Sequence, residues 1–369
     1  MKSIIEEALS KAERKPTVEE PSAETPISYS PEDEELRKIL EGLKTRIVII
    51  GLGGGGSNTV NRIFEEGITG AELVAANTDA QHLLITKAHK KVLLGARITR
   101  GLGAGALPQV GEEAAKEAEE KLRNIVEGAD IVFITCGLGG GTGTGSAPFV
   151  AKLAKEAGAL TIVVATYPFS AEGISRAQNA EWGLKKLKAF ADTVIVIPND
   201  KLIELAPRLP LNQAFKVADE ILMRSIKGLT EIVTKPGLVN LDFNDLKTIM
   251  KGAGVAMIGL GESDSDNRAE DAVNEAINSP LLDVDVTTGT GALINVIGGP
   301  DMTVSEAEKV AEIVQSKISK DARIIWGASI DPSLEHKIRV MVVITGVKSK
   351  QILGPGQEKE ERLGVDVVS

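Results

Sequence analysis

The stretch from Asp130 to Gly158 constrains this chain more than any other. It reads DIVFIT, a β-branched strand run, then CGLGGGTGTGS, then APFVAKLAKEAG with apolar residues at helical spacing. An ordinary strand-to-helix turn has no use for the five glycines between Gly139 and Gly145. The amides of such a loop are unobstructed by side chains. Flanked by the hydroxyls of Thr142 and Thr144 and backed by a helix start, they form a cradle for a di- or triphosphate.

A second loop, GLGGGG at Gly51 to Gly56, follows RIVII and precedes TVNRIFEEG. It matches G-x-G-x-x-G in the context where a helix start meets phosphate. Taken alone it fits dinucleotide binding, or a tight turn with no ligand. The pattern G-x-x-x-x-G-K-[ST] occurs nowhere, so the lysine that P-loop enzymes hold against the outer phosphates is missing. Two helix ends supply only about half a positive charge each, far less than a triphosphate carries, so a magnesium ion is expected to supply the balance. Its candidate neighbours are Asn77 and Asp79 in AANTD, although such residues after a strand also form turns unaided.

Composition narrows the setting. The 42 basic and 52 acidic residues give a net charge of −10, which opposes nonspecific binding to nucleic acid. A single cysteine, Cys136, excludes an internal disulfide framework, and with His82, His89 and His336 it lacks the spacing of a structural zinc site. The opening MKSIIEEALSKAERK has no apolar run of signal-peptide or membrane-spanning length, so a cytoplasmic protein with no membrane span is expected.

Residues 1–44 read as an amino-terminal extension, with a Pro-, Ser-, Thr- and Glu-rich linker over 16–36. From Arg46 the runs RIVII, LVAAN, DIVFIT, LTIVVAT and DTVIVIP alternate with helix-period segments, which predicts an α/β, doubly wound parallel sheet over 45–210. One-sided apolar spacing predicts a long connecting helix within 211–236, stopped by Lys235-Pro236-Gly237. Four strand runs, GVAMIGLGES, ALINVIGG, ARIIWGAS and KIRVMVVITGV, with helices at Arg268–Asn278 and Val304–Ile318, predict a second α+β domain with a four-stranded sheet over 237–349. Residues 350–369 form a tail.

GGGTGTG resembles the signature of the tubulins and of the prokaryotic cell-division protein family FtsZ, and GLGGGGSN, AANTDAQ, RGLGAGALP, YPFSAEGISR, IPND, NQAFKVADEIL and GLVNLDFND agree in order. The chain lacks tubulin's long carboxy-terminal helical region, so FtsZ is the nearer resemblance. It implies a cytoskeletal GTPase that forms head-to-tail filaments at the division site, with GTP or GDP and Mg2+ as ligands. By the same resemblance Gly54, Gly55, Gly56, Ser57 and Asn58 contact nucleotide, Gly140, Gly141, Thr142, Gly143 and Thr144 hold phosphates, and Gly103, Ala104 and Gly105 sense the γ-phosphate. Glu172 and Arg176 would meet the ribose and nearby phosphate, or form only a helical ion pair. Asn199 would face sugar or base, or serve as a turn residue.

Phe215 and Asp219 lie four apart on one helix face and can meet one planar base, the ring by stacking. A carboxylate accepts from guanine N1 and N2, whereas adenine offers an acceptor at N1, so guanine preference follows. Asp242 and Asp245 suit a helix cap. The resemblance also places them, with Asn240 assisting, in the nucleotide site of the next subunit, where they position the attacking water. A Rossmann oxidoreductase using the first loop is a rival, but it needs an acidic residue where Asn77 stands. A nucleotide-gated scaffold without turnover is another, which Asn240, Asp242 and Asp245 argue against. The tail lacks a Pro-aromatic-basic docking peptide; Leu363–Val368 is a candidate for docking on a membrane-tethering adaptor, or a frayed end.

Overall fold

The computed structural model describes residues 45–201, 211–235, 237–239, 241–278 and 286–347. The expected amino-terminal extension, the tail with its docking segment, and Asn240 lie outside the described residues.

Strand β1 (Ile47–Leu52) pairs in parallel with β2 (Ala71–Asn77) on one side and β4 (Ile131–Gly137) on the other, aligning Ile49 with Leu73 and with Phe133. β5 (Leu160–Tyr167) and β6 (Thr193–Pro198) continue the parallel array. All five expected strands are present. A sixth, β3 (Lys90–Leu93), was not anticipated; it forms the edge beside β2. With four residues, two of them exposed lysines, it carries little periodic signal, and those lysines suit an open edge.

The four carboxy-terminal strands also form. β10 (Ile338–Thr345) runs antiparallel to both β7 (Gly254–Ser263) and β8 (Gly291–Gly298), and β9 (Arg323–Ile330) lies parallel to β8. They do not make a separate sheet. β7 joins β6 in parallel from Thr193↔Gly254 to Ile195↔Ala256, giving one ten-stranded order β3-β2-β1-β4-β5-β6-β7-β10-β8-β9.

Both faces of the parallel half are apolar and covered. Val48, Ile50, Val132 and Ile134 pack with Val150, Leu153 and Ala154, which lie on α5 (Thr142–Glu156). Ile47, Ile49, Ile131 and Phe133 pack with Val60 and Ile63 of α1 (Gly53–Glu65) and with Leu222, Ile226 and Leu229 of α7 (Leu211–Thr234). Burying each such side chain contributes about 1.5–3 kcal/mol, and alternation with period two sends neighbours to opposite faces. The 24-residue α7 spans roughly 36 Å and closes where Lys235 N donates to Glu231 O at 2.9 Å.

Candidate functional site

Two helices begin within glycine runs at the carboxyl ends of adjacent strands. α1 starts at Gly53 directly after β1, α5 starts at Thr142 just beyond β4, and neither has a side-chain cap. The first amides of each helix therefore have no partner within the helix. The two loops touch: a Cβ on Gly53, whose φ is +70°, would stand 2.8 Å from Gly143 N, and one on Gly55 would stand 3.2 Å from Gly137 N. Other glycines of the group face open space. Gly54, Gly140, Gly103 and Gly105 would place a Cβ with nothing within 4 Å. Gly103 and Gly105, at φ +90° and +58°, bring the loop after β3 over the cradle, where Gly141 N donates to Gly105 O at 3.0 Å and buried Ala104 packs beneath.

The threonine hydroxyls are engaged. Thr142 Oγ1 lies 2.6 Å from Thr78 Oγ1, and Thr144 Oγ1 accepts from Gly139 N at 2.9 Å, bracing its own loop. Asp79 caps α2 (Ala80–Ile85) by accepting from His82 N at 3.0 Å, and Gly103 N donates to Thr78 O at 3.2 Å. Asn77 is buried at the end of β2, with Asn77 Nδ2 3.2 Å from His82 Nδ1. Buried Ser57 follows the first glycine run, its Oγ without a partner.

A third wall comes from the turn after β5. Glu172 accepts from Phe169 N at 3.0 Å and pairs with Arg176 of α6 (Ile174–Phe190) at 3.2 Å, the helical ion pair that i, i+4 spacing allows. Asp200 accepts from Ser170 N at 2.9 Å, tying the turn to the segment after β6. Phe169, which the sequence reading passed over, meets Phe215 edge to face at 5.1 Å between centroids. Its place beside the YPFSAEG turn was the available signal. Phe215 is nonetheless 39% exposed on α7, leaving part of its ring open. One turn on, burial pushes the Asp219 carboxyl up to about 6, opposed by the charge of Arg62. Asn199 is 3% exposed and its Oδ1 is buried without a partner. An orphaned buried acceptor is costly, and a ligand donor would relieve it.

The acidic loop is elsewhere. Asp242 caps α8 (Phe243–Met250), and Asp245 returns the bond. The preceding chain is stitched to the far edge strand: Leu238 N donates to Ala328 O at 2.7 Å, Ala328 N donates to Val239 O at 3.2 Å, and Leu241 packs over Gly327 of β9. β9 stands six strands from β4 in the sheet, which at about 4.8 Å per strand is roughly 29 Å. Within one chain, Asp242 and Asp245 are not brought to the cradle.

Among the described residues no group of three or more His, Cys, Asp or Glu could hold a metal, and no helix is long and apolar enough to cross a membrane. A family model described as the Tubulin/FtsZ family GTPase domain matches residues 46–207, and one described as the FtsZ family C-terminal domain matches residues 254–348. "Cell division protein FtsZ 1" of Archaeoglobus fulgidus is 58% identical over 369 residues, 100% of this chain and 99% of the relative. The chain belongs to the FtsZ family.

An FtsZ of M. jannaschii, solved as an empty dimer, superposes with a TM-score of 0.82 at 56% identity, covering 86% of this chain and 93% of that one. CetZ2 of Haloferax volcanii, solved as a GTPγS-bound protofilament, shares the fold at 22% identity, TM-score 0.71, covering 87% of this chain and 100% of that one. The two uncapped helix starts thus lie in an FtsZ-type GTPase domain, and the β7–β10 half of the sheet lies in the FtsZ carboxy-terminal domain.

Proposed function

We propose that this chain binds GTP in the glycine cradle, assembles head to tail, and hydrolyses GTP at the junction between copies. Phosphates lie against the amides of Gly54–Gly56 and Gly140–Thr144, with Gly103–Gly105 over the γ-phosphate. Phe215 stacks on the base, ionised Asp219 accepts from guanine N1 and N2, and Asn199 takes a donor from sugar or base. Glu172 and Arg176 border the ribose. Magnesium, carried on the phosphates with Asn77 and Asp79 as the nearest candidate protein groups, supplies the positive charge that the helix ends lack.

The observation that carries this reading is the separation between cradle and acids. Hydrolysis needs a positioned water, and the acidic loop that carries Asp242 and Asp245 follows a segment tied to β9, six strands from β4 in the sheet order. A second copy, placing its acidic loop, with Asn240 in it, over the first copy's cradle, supplies what the single chain lacks. Residues 45–210, 211–236 and 237–349 then act as nucleotide domain, connecting helix and activating domain. The same reading has the protein in the cytoplasm at the division site, held there by an adaptor that docks on the tail.

The test is GTP turnover against protein concentration, with sedimentation in parallel. Turnover per molecule is expected to rise from near zero above a threshold at which polymer sediments. Equal turnover at every dilution, with no polymer, overturns the proposal.

A further inference from the structure

His82 belongs to none of the motifs that define the site, yet its ring joins two of them. His82 Nε2 lies 3.0 Å from Asn58 Oδ1, in the helix that opens with the first glycine run. Its other ring nitrogen, Nδ1, lies 3.2 Å from Asn77 Nδ2 at the end of β2. Asn77 Oδ1 accepts from Asp79 N at 3.3 Å, which orients that amide and leaves its NH2 facing the imidazole. Only one ring form satisfies both neighbours: Nε2 carries the proton and donates to Asn58, and Nδ1 accepts from Asn77. A proton on Nδ1 would set two donors against each other.

Asn58 is exposed, and among the described residues its side chain has no other hydrogen bond. Without His82 its amide is free to turn end for end. With His82 donating to Oδ1, the NH2 is the end left for a ligand, and a donor suits phosphate or ribose oxygens. The ring is itself fixed, because α2 is anchored by Asp79, whose carboxylate accepts from His82 N at 3.0 Å.

We infer that His82 is a positioning residue of the nucleotide site, holding the Asn58 amide with its NH2 toward the nucleotide and tying the first glycine loop to the Asn77 strand end. This rests on the reading that Asn58 borders bound GTP. His82 touches no reacting atom, so its loss acts on binding and not on the chemical step.

The experiment compares full-length His82→Ala, His82→Gln, Asn58→Ala and the His82→Ala/Asn58→Ala pair by equilibrium binding of radiolabelled GTP and by steady-state turnover. Loss of the oriented bond is expected to weaken GTP binding of His82→Ala roughly three- to tenfold, visible in Kd and KM, while kcat at saturating GTP stays within about twofold. Glutamine can donate from Nε2 and accept at Oε1, so His82→Gln is expected to restore affinity to within about twofold of the parent. The double variant is expected to bind more tightly than the product of the two single losses predicts. If His82→Ala binds GTP as the parent does while Asn58→Ala binds weakly, the inference falls and the site reading stands. Strictly multiplicative losses, or a folded His82→Gln as weak as His82→Ala, also sink it. If Asn58→Ala binds GTP normally, the site reading fails at Asn58 and the inference goes with it.

Discussion

Asp242 and Asp245 cap one another: Asp245 N donates to Asp242 Oδ1 at 2.9 Å, and Asp242 N donates to Asp245 Oδ2 at 3.1 Å. The same pair is thus committed to holding its helix and is proposed to act on a neighbour's nucleotide. Each carboxylate uses one oxygen in the cap and keeps a second, so capping and water positioning are compatible. Substitutions separate them. Asparagine caps a helix about as well as aspartate, so Asp242→Asn is expected to keep its thermal midpoint, whereas Asp242→Ala loses about 0.5–2 kcal/mol in denaturant unfolding. Both are expected to lower GTP turnover by about tenfold or more with GTP binding intact, because both remove the charge that orients water. Normal turnover by Asp242→Asn would leave the pair a cap alone.

Asp219 supplies a pH signature. Its carboxyl is pushed up to about 6 by burial, with Arg62 pulling the other way while itself paired to Glu220 at 3.3 Å. The folded value lies above the unfolded one, so the ionised form penalises folding at neutral pH, and the penalty fades as pH falls from about 6 toward the ordinary value of 3.8. Nucleotide-free Asp219→Asn is therefore expected to be more stable than the parent at pH 7.5 by about 1–2 kcal/mol, and equal to it near pH 4. GTP binding is expected to have the opposite dependence, since in the proposed site the carboxylate is the group that accepts from guanine. Affinity is expected to fall about tenfold per pH unit well below 6, and to be weak and flat with pH in Asp219→Asn. Titration calorimetry across this range checks both.

The strands and the long helix were legible because their physical signal is local. DIVFIT and RIVII are apolar on both faces, as a covered parallel sheet requires, and apolar residues from Phe215 to Val233 recur at helical spacing. Other features depend on residues far apart in sequence. Nothing in KKVL announces an edge strand, since its pairing is decided by the exposed side of β2. Likewise the union of the two sheets rests on three residue pairs between β6 and β7, which no periodicity encodes. In the candidate site, the abundance of glycine was readable but the division of labour was not: Gly53 and Gly143 meet each other, while Gly54 and Gly140 face open space. Phe169 drew no attention and His82 was weighed only as a zinc ligand, because the contacts that single them out are with partners on other elements.

Arg268 locks the carboxy-terminal half. It is 9% exposed at the start of α9 (Arg268–Ile277), grips Glu306 at 2.7 and 3.1 Å, and reaches Asp301 at 2.7 Å and the His336 carbonyl at 2.6 Å. Hydrogen bonds from His336 and Arg268 hold Asp301 down to about 2, and Arg268 holds Glu306 down to about 2. Depressed carboxyls add stability that is present above the unfolded values and lost as pH drops through the folded ones, so this contribution fades between about pH 4.5 and 2. Arg268→Ala is expected to cost about 2–4 kcal/mol at pH 7 and much less near pH 2.5. Arg268→Lys keeps the charge but not the fork, and is expected to fall between. Urea unfolding at both pH values measures the difference.

Gly140 and Gly53 distinguish a ligand cradle from a tight turn. A methyl on Gly140 would meet nothing within 4 Å, and its backbone does not need the left-handed region. A methyl on Gly53 would press on Gly143 N from a φ of +70°. If the loops were only turns, Gly140→Ala would be harmless everywhere and Gly53→Ala harmful to the fold. If the open space holds phosphate, Gly140→Ala is expected to keep its thermal midpoint and lose about tenfold or more in GTP affinity, because the added carbon occupies the approach to the amides. Gly53→Ala is expected to lose about 1–3 kcal/mol of stability whether or not GTP is present. Thermal shift with and without GTP reads the contrast directly. The parent is expected to be stabilised by nucleotide through mass action, and Gly140→Ala, equally stable alone, to gain little at the same concentration. A Gly140→Ala protein stabilised by GTP as strongly as the parent would empty the cradle of its proposed occupant.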